Sequence, residues 1–235
     1  MKEKSFTLLL ESVERRLRSG DLSVGDRLPG ERILAEQYGI SRASVREALR
    51  VLDAVGLIRS GVGSGPKSGA VVISEPSAAL GWAIRMHIAT QSLPVIDVIN
   101  TRLHLEGPAI IEAAQAPDSP ERDAALDRAR DYLNEMASPT ISDDRFHCCD
   151  TRFHFEIAAL SSNLVMKTVI DSLRLATISY VQEAVPRLDD WVSVKEELQK
   201  QHHGILDAVV KRRGNDARQL LEEHIMWFYK KSLKF

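Results

Sequence analysis

A mainly α chain in two parts is predicted, with one small β-hairpin in the first part and an antiparallel helical bundle as the second. Three observations carry that expectation. Apolar residues recur at helical spacing over most of the 235 residues. The β-prone pieces Leu57-Ile58-Arg59 and Ala70-Val71-Val72-Ile73 flank a glycine-rich run from Gly61 to Gly69, which cannot hold a helix. Beyond residue 76 no convincing strand remains, and the helical patterns are broken at short intervals by Pro94, Pro117, Pro120, Pro139, Asn163, Pro186 and Gly214.

The elements follow in order. Leu9, Val13, Arg16 and Leu17 place a first helix over Ser5–Ser19, with Gly20 as its stop. A turn segment through Leu28-Pro29-Gly30 leads to a short second helix, Glu31–Tyr38, ended by Gly39. Ser41 caps a third helix that runs to Val55. With the hairpin behind it, this is the element order of a winged helix-turn-helix. Residues 74–77, Ser-Glu-Pro-Ser, read as a linker, so the domains divide as 1–75 and 76–235. Seven helices are expected after it, over 77–90, 95–116, 120–137, 143–161, 164–184, 190–213 and 215–232. Their short connections imply antiparallel neighbours.

Composition narrows the class. Hydrophobic residues make up 44% and charged residues 27%, as in a globular protein, and no apolar run reaches the ~20 residues of a membrane span. Met1-Lys2-Glu3-Lys4 opens onto amphipathic sequence without the features of a signal peptide, and Cys148 and Cys149 are adjacent, so neither secretion nor a disulfide framework is expected. A cytoplasmic protein is the expectation. Net charge is −2, but residues 1–75 hold 12 Lys and Arg against 10 Asp and Glu, and the remainder 19 against 23. That mild asymmetry permits DNA binding at the N-terminal end without establishing it.

Arg42, Arg46 and Arg50 recur at i, i+4 and i+8, forming one cationic stripe on the third helix. Val45, Leu49 and Leu52 are spaced to pack on the other side. Guanidinium forks can read guanine edges in a major groove while hydroxyls and the helix N-terminus hold phosphate. The blander reading is a solvated face pairing with Glu47 or Asp53. The run Gly25-Asp26-Arg27-Leu28-Pro29-Gly30-Glu31-Arg32, then Leu34-Ala35-Glu36 and Gly39-Ile40-Ser41-Arg42-Ala43-Ser44-Val45-Arg46-Glu47-Ala48-Leu49, resembles the GntR family signature. That resemblance covers most of residues 5–73. It implies operator DNA as partner and Arg32, Ser41, Arg42, Ser44, Arg46 and Gly69 as DNA contacts. Gly30 replaces a more usual Ala or Ser, and the long run 63–68 shifts the wing relative to the family pattern.

In the second part, Asp150 and His154 share a helix face at i, i+4, and His202 and His224 lie on two later helices. A bundle interior can bring one carboxylate and three imidazoles together as ligands for Zn, Ni or Mn, although a chain with seven histidines offers such sets by chance. Asp150-x-x-x-His154, Gln201-His202-x-x-Ile205-Leu206-Asp207 and Glu223-His224 resemble the three metal-binding patches of the FCD effector domain of the FadR subfamily. The resemblance implies Asp150, His154, His202 and His224 as the ligands. His203 points away from His202, His104 reads as structural or solvent-facing, His147 reads the same way with a place on the cavity wall as its alternative, and one of the two cysteines is expected inside and the other outside.

Arg102 carries two readings, a salt bridge to Glu106 one turn on or, as the resemblance implies, an effector-binding arginine that pairs with a carboxylate. The Ser-Gly-Pro-Lys-Ser-Gly wing is also similar to that of actinobacterial lactate-utilisation regulators. What the resemblance implies is a homodimeric repressor, not an enzyme, released from DNA by a small carboxylic acid such as lactate at a divalent metal. Two alternatives stand beside it. One is a regulator that responds to the metal alone; the other is a metal-dependent hydrolase, disfavoured because no HExxH or nucleophile-elbow motif is present.

Overall fold

The computed structural model of the chain describes residues 3–60, 69–188 and 190–232. It divides into two compact units, Met1–Leu80 and Gly81–Phe235. The expected order is present: α1 (Glu3–Ser19), α2 (Glu31–Tyr38), α3 (Arg42–Ala54), β1 (Ile58–Ser60) and β2 (Ala70–Val72), then α4 (Pro76–Ala89), α5 (Val95–Gln115), α6 (Pro120–Met136), α7 (Asp143–Ala158), α8 (Leu164–Ala184), α9 (Trp191–Val210) and α10 (Gly214–Ser232). A short 3-10 turn, Val185–Arg187, follows α8 at Pro186.

The first unit is built on Leu9 and Val13 of α1, Leu34 of α2, Val45, Ala48 and Leu52 of α3, and Ile58 and Val72 of the hairpin, all buried together. The Ser41 hydroxyl accepts the backbone N–H of Ser44 and so caps α3, as its position ahead of the apolar stripe predicts. β1 and β2 pair antiparallel with Ile58 opposite Val72. The turn segment joins their sheet through an isolated bridge from Arg27 to Val71. Gly56, at φ +73°, lets the chain leave α3: a Cβ there would lie 2.4 Å from the carbonyl oxygen of Glu75. The loop 61–68 lies outside the described residues.

In the second unit, caps set most helix starts. Side chains of Ser119, Ser142, Asn163 and Asp190 accept the N–H three residues on in α6, α7, α8 and α9. Helix ends differ from expectation. α7 stops at Ala158 rather than at 161, and α9 at Val210 rather than at 213. After one last helical bond each, from Ala159 and Lys211, the chain tightens into three-residue turns, Leu160 N–H to Ile157 O and Arg212 N–H to Val209 O, which keep the helical sequence pattern. The core gathers Ile110, Leu133, Phe146, Phe153, Ile205, Leu221 and Ile225 from α5, α6, α7, α9 and α10.

Candidate metal centre and nucleic-acid interface

Asp150 and His154 stand one turn apart on α7, His202 is carried by α9, and His224 by α10. One ligand atom from each of the four lies within 4.8 Å of all the others. His154 Nε2 and His202 Nε2 are 3.1 Å apart, and His202 Nε2 is 3.1 Å from Asp150 Oδ1. Ligands held about 2.1 Å from one ion and at right angles to each other stand roughly 3.0 Å apart, so this spacing suits a shared cation. His202 is fully buried and His154 and His224 nearly so, whereas the Asp150 side chain keeps 27% of its surface, toward a cavity.

The electrostatics favour the neutral form of His154 and His224. Burial, with the positive charge of Arg174 next, holds His154 well below the usual histidine range. His224 is depressed in the same way, by burial first and by His202 next. Burial alone would raise the Asp150 carboxyl, but the hydrogen bond to His202 and the positive groups around it hold it below the usual carboxylate range. Gln201, beside His202 on α9, accepts from His224 Nδ1 at 3.0 Å. That bond leaves Nε2 of His224 for a ligand role and fixes the ring. His202 Nδ1 is buried without a hydrogen-bond partner among the described residues, while its Nε2 faces both Asp150 and His154.

Two of the four, Asp150 and His224, open onto about 770 Å³ of atom-free space, part of it open to solvent, whose walls also include Arg102 and Arg174. Arg102 Nε pairs with Glu106 Oε1 at 2.8 Å, and Arg174 of α8 pairs with the other carboxylate oxygen of Glu106. All three are buried. Burial pulls the Arg174 guanidinium down to about 10, against the upward pull of Glu106. Arg102 thus makes the salt bridge to Glu106, and its side chain also lines the cavity. Arg102 and Arg174 stand beside the carboxylates of Glu106 and Asp150, so these side chains balance, and a divalent ion at the donor set would make the site positive and suited to an anion.

Arg174 and Gln201 are the members of this site that sequence reasoning missed. Arg174 stands as a lone charge in Leu173-Arg174-Leu175-Ala176, a signal of a buried polar role. His147, expected to be structural or solvent-facing, lines the cavity while its ring stacks on Trp191 at 5.4 Å. His203 and His104 are exposed. Cys149 is buried and Cys148 exposed, the expected division.

On the first unit, Arg42 and Arg46 rise exposed from α3, 3.5 and 3.7 Å from the same oxygen of Glu31. Arg32 is exposed and paired with Glu36 at 2.8 Å. These pairs are solvated and weak, so the guanidiniums can exchange partners for DNA phosphate or base edges. Ser41 is exposed, while Ser44 is buried with its hydroxyl 3.0 Å from that of Ser41. Gly69 sits at the foot of β2 with φ +156°, where a Cβ would come 2.9 Å from the carbonyl oxygen of Leu28. That close approach accounts for glycine there.

Comparison with known proteins agrees with this division. The FCD domain family matches residues 97–226, and the family described as bacterial regulatory proteins, gntR family, matches residues 9–67. The chain is 28% identical over 223 residues to the Glc operon transcriptional activator of Escherichia coli (strain K12), spanning 93% of this chain and 85% of that one. It is 26% identical over 224 residues to the "Putative L-lactate dehydrogenase operon regulatory protein" of the same strain, spanning 92% and 81%. A solved structure described as Streptococcus agalactiae GntR shares the fold, with a TM-score of 0.60 at 23% identity over 96% of this chain and 97% of that one.

Proposed function

The chain belongs to the GntR family of bacterial regulatory proteins, with an FCD domain behind its helix-turn-helix, and we propose that it is a repressor released from operator DNA by a small carboxylic acid. A DNA-binding transcriptional regulator is what this family membership means, and it leaves no place for the hydrolase alternative. No helix among the described residues is long and apolar enough to cross a membrane, in keeping with a regulator working on cytoplasmic DNA.

One observation carries the proposal: in the Asp150, His154, His202 and His224 donor set, Asp150 and His224 line the same cavity as two buried arginines. A divalent ion (Zn, Ni or Mn) held by those four residues in octahedral coordination would offer two further positions to an acid's carboxylate and adjacent oxygen. Asp150 and the neutral imidazoles would hold the ion, Gln201 would orient His224, and Arg102 and Arg174 would neutralise the anion. A relative named for an L-lactate dehydrogenase operon supports a 2-hydroxy acid, with the lactate skeleton as first candidate.

On the DNA side, Arg32, Ser41, Arg42 and Arg46 make the operator-reading set, joined by Ser44 through its bond to Ser41 and by Gly69 beside the wing. A homodimer would match two-fold symmetric half-sites. Exposed Trp82 and Met86 on α4, and Leu164 and Val165 on α8, support an apolar face that a second copy covers.

A thermal-shift screen of small carboxylic acids on metal-loaded and chelator-stripped protein tests the reading, because a ligand of the folded state raises the Tm. Stabilisation by a 2-hydroxy acid, lost on stripping, is expected. No response to any acid, with stripping alone melting the domain, would point to a regulator of the metal-responsive kind.

A further inference from the structure

The cavity is sorted by height. Arg102, Asp150, Arg174 and His224 form its polar floor. One helical turn away, about 5.4 Å along each helix, the lining changes character. Going toward the N-terminus from the floor, α5 offers Ile99, α7 offers Phe146, and α9 offers Leu198 one turn before His202. Toward the C-terminus, α8 offers Ile178 and Val181 after Arg174, and α10 offers Phe228 after His224. Successive helices joined by short loops alternate in direction, so α5, α7 and α9 run one way and α8 and α10 the other. All of these apolar residues therefore stand on the same side of the floor, as one layer above it.

Polar groups within that layer are largely occupied. The Thr177 hydroxyl donates to the carbonyl oxygen of Arg174, and the Tyr180 and Ser232 hydroxyls bond each other at 2.6 Å. Burial keeps His147 toward its neutral form, with its ring against Trp191. What the layer presents to a ligand is mainly the half-buried surface of Ile178, Val181, Phe228 and Tyr229, backed by the buried Ile99, Phe146 and Leu198. Lactate has only a methyl group beyond its head and would leave most of that surface against water.

We infer that the effector is a 2-hydroxy acid carrying a bulky apolar substituent, branched alkyl or aryl, on the lactate skeleton. This rests on the carboxylate reading above. The head would meet the floor, and the substituent would fill the layer made by Ile99, Phe146, Ile178, Val181, Leu198 and Phe228. Burying a group of leucine or phenylalanine size tightens binding on the order of 10- to 100-fold.

Calorimetric titration of the full chain, loaded with Zn²⁺, against L-lactate, 2-hydroxyisocaproate, 3-phenyllactate and 3-phenylpropionate tests the inference. Binding at least about tenfold tighter for the two extended hydroxy acids than for lactate is expected. Val181→Phe, which fills the layer, should then weaken 3-phenyllactate far more than lactate. Lactate binding as tightly as the extended acids would overturn the inference and leave the carboxylate reading standing. Tight binding of 3-phenylpropionate, which lacks the hydroxyl, would keep the apolar layer but remove the hydroxy acid. No binding by any of the four would overturn both.

Discussion

Nδ1 of His224 lies 3.0 Å from the side-chain oxygen of Gln201, one residue from another member of the donor set on a different helix. The bond ties α10 to α9 at the level where the imidazoles meet. It fixes the ring of His224 with Nε2 facing the centre. Removing it should leave the ligands in place but free the ring.

Gln201→Leu is accordingly expected to lower divalent-metal affinity about 10–100-fold with the helical content intact. Competition against a chromogenic chelator measures it, with circular dichroism as the folding control. His202→Ala should go further and abolish stoichiometric metal; full retention would remove His202 from the ligand set.

The ion-free domain should weaken in acid. His154 and His224 are held below the ordinary histidine range mainly by burial, so the unfolded chain takes up their protons near pH 6.5 while the folded domain does not. Their contribution is complete above that pH and declines as the pH falls from 6.5 toward the folded values. The slope is up to about 1.4 kcal/mol per pH unit for each histidine. Urea unfolding of chelator-stripped protein should show lower stability at about pH 5.5 than at about pH 7.5. A His154→Gln, His224→Gln double variant should flatten that dependence. An unchanged midpoint in the parent would contradict it.

Glu106 holds two guanidiniums, both buried, so its charge cannot be removed cheaply. Glu106→Gln takes from Arg102 and Arg174 the carboxylate they share and should cost about 3–5 kcal/mol of domain stability. Denaturant titration checks it; a loss under about 1 kcal/mol would show that solvent reaches the pair.

Arg46→Ala should weaken binding to the operator by about 1–3 kcal/mol if the side chain reads a base bidentately. Fluorescence anisotropy on a duplex selected from a random pool measures the change. Unchanged affinity would take Arg46 off the contact set.

Much of this molecule is legible in its sequence because the local rules agree with the fold. Ser41 caps α3 where a hydroxyl precedes apolar spacing, and Asp150 with His154 is a face that spacing alone defines. Arg174 is not legible in that way. Its partner Glu106 is 68 residues away, and only the packing of α5 against α8 makes the two neighbours. The same holds for His147, whose neighbour Trp191 belongs to α9. The ends of α7 and α9 escape for a local reason, since tight turns and helix share one apolar period.

The central claim is that acid and metal act together on the DNA-binding state. Operator affinity measured on loaded and stripped protein, each with and without 3-phenyllactate or L-lactate, tests it most directly. The account predicts that acid weakens operator binding about 5- to 150-fold on loaded protein and has little effect on stripped protein. Equal release from both forms, or release by stripping with no response to acid, would contradict it.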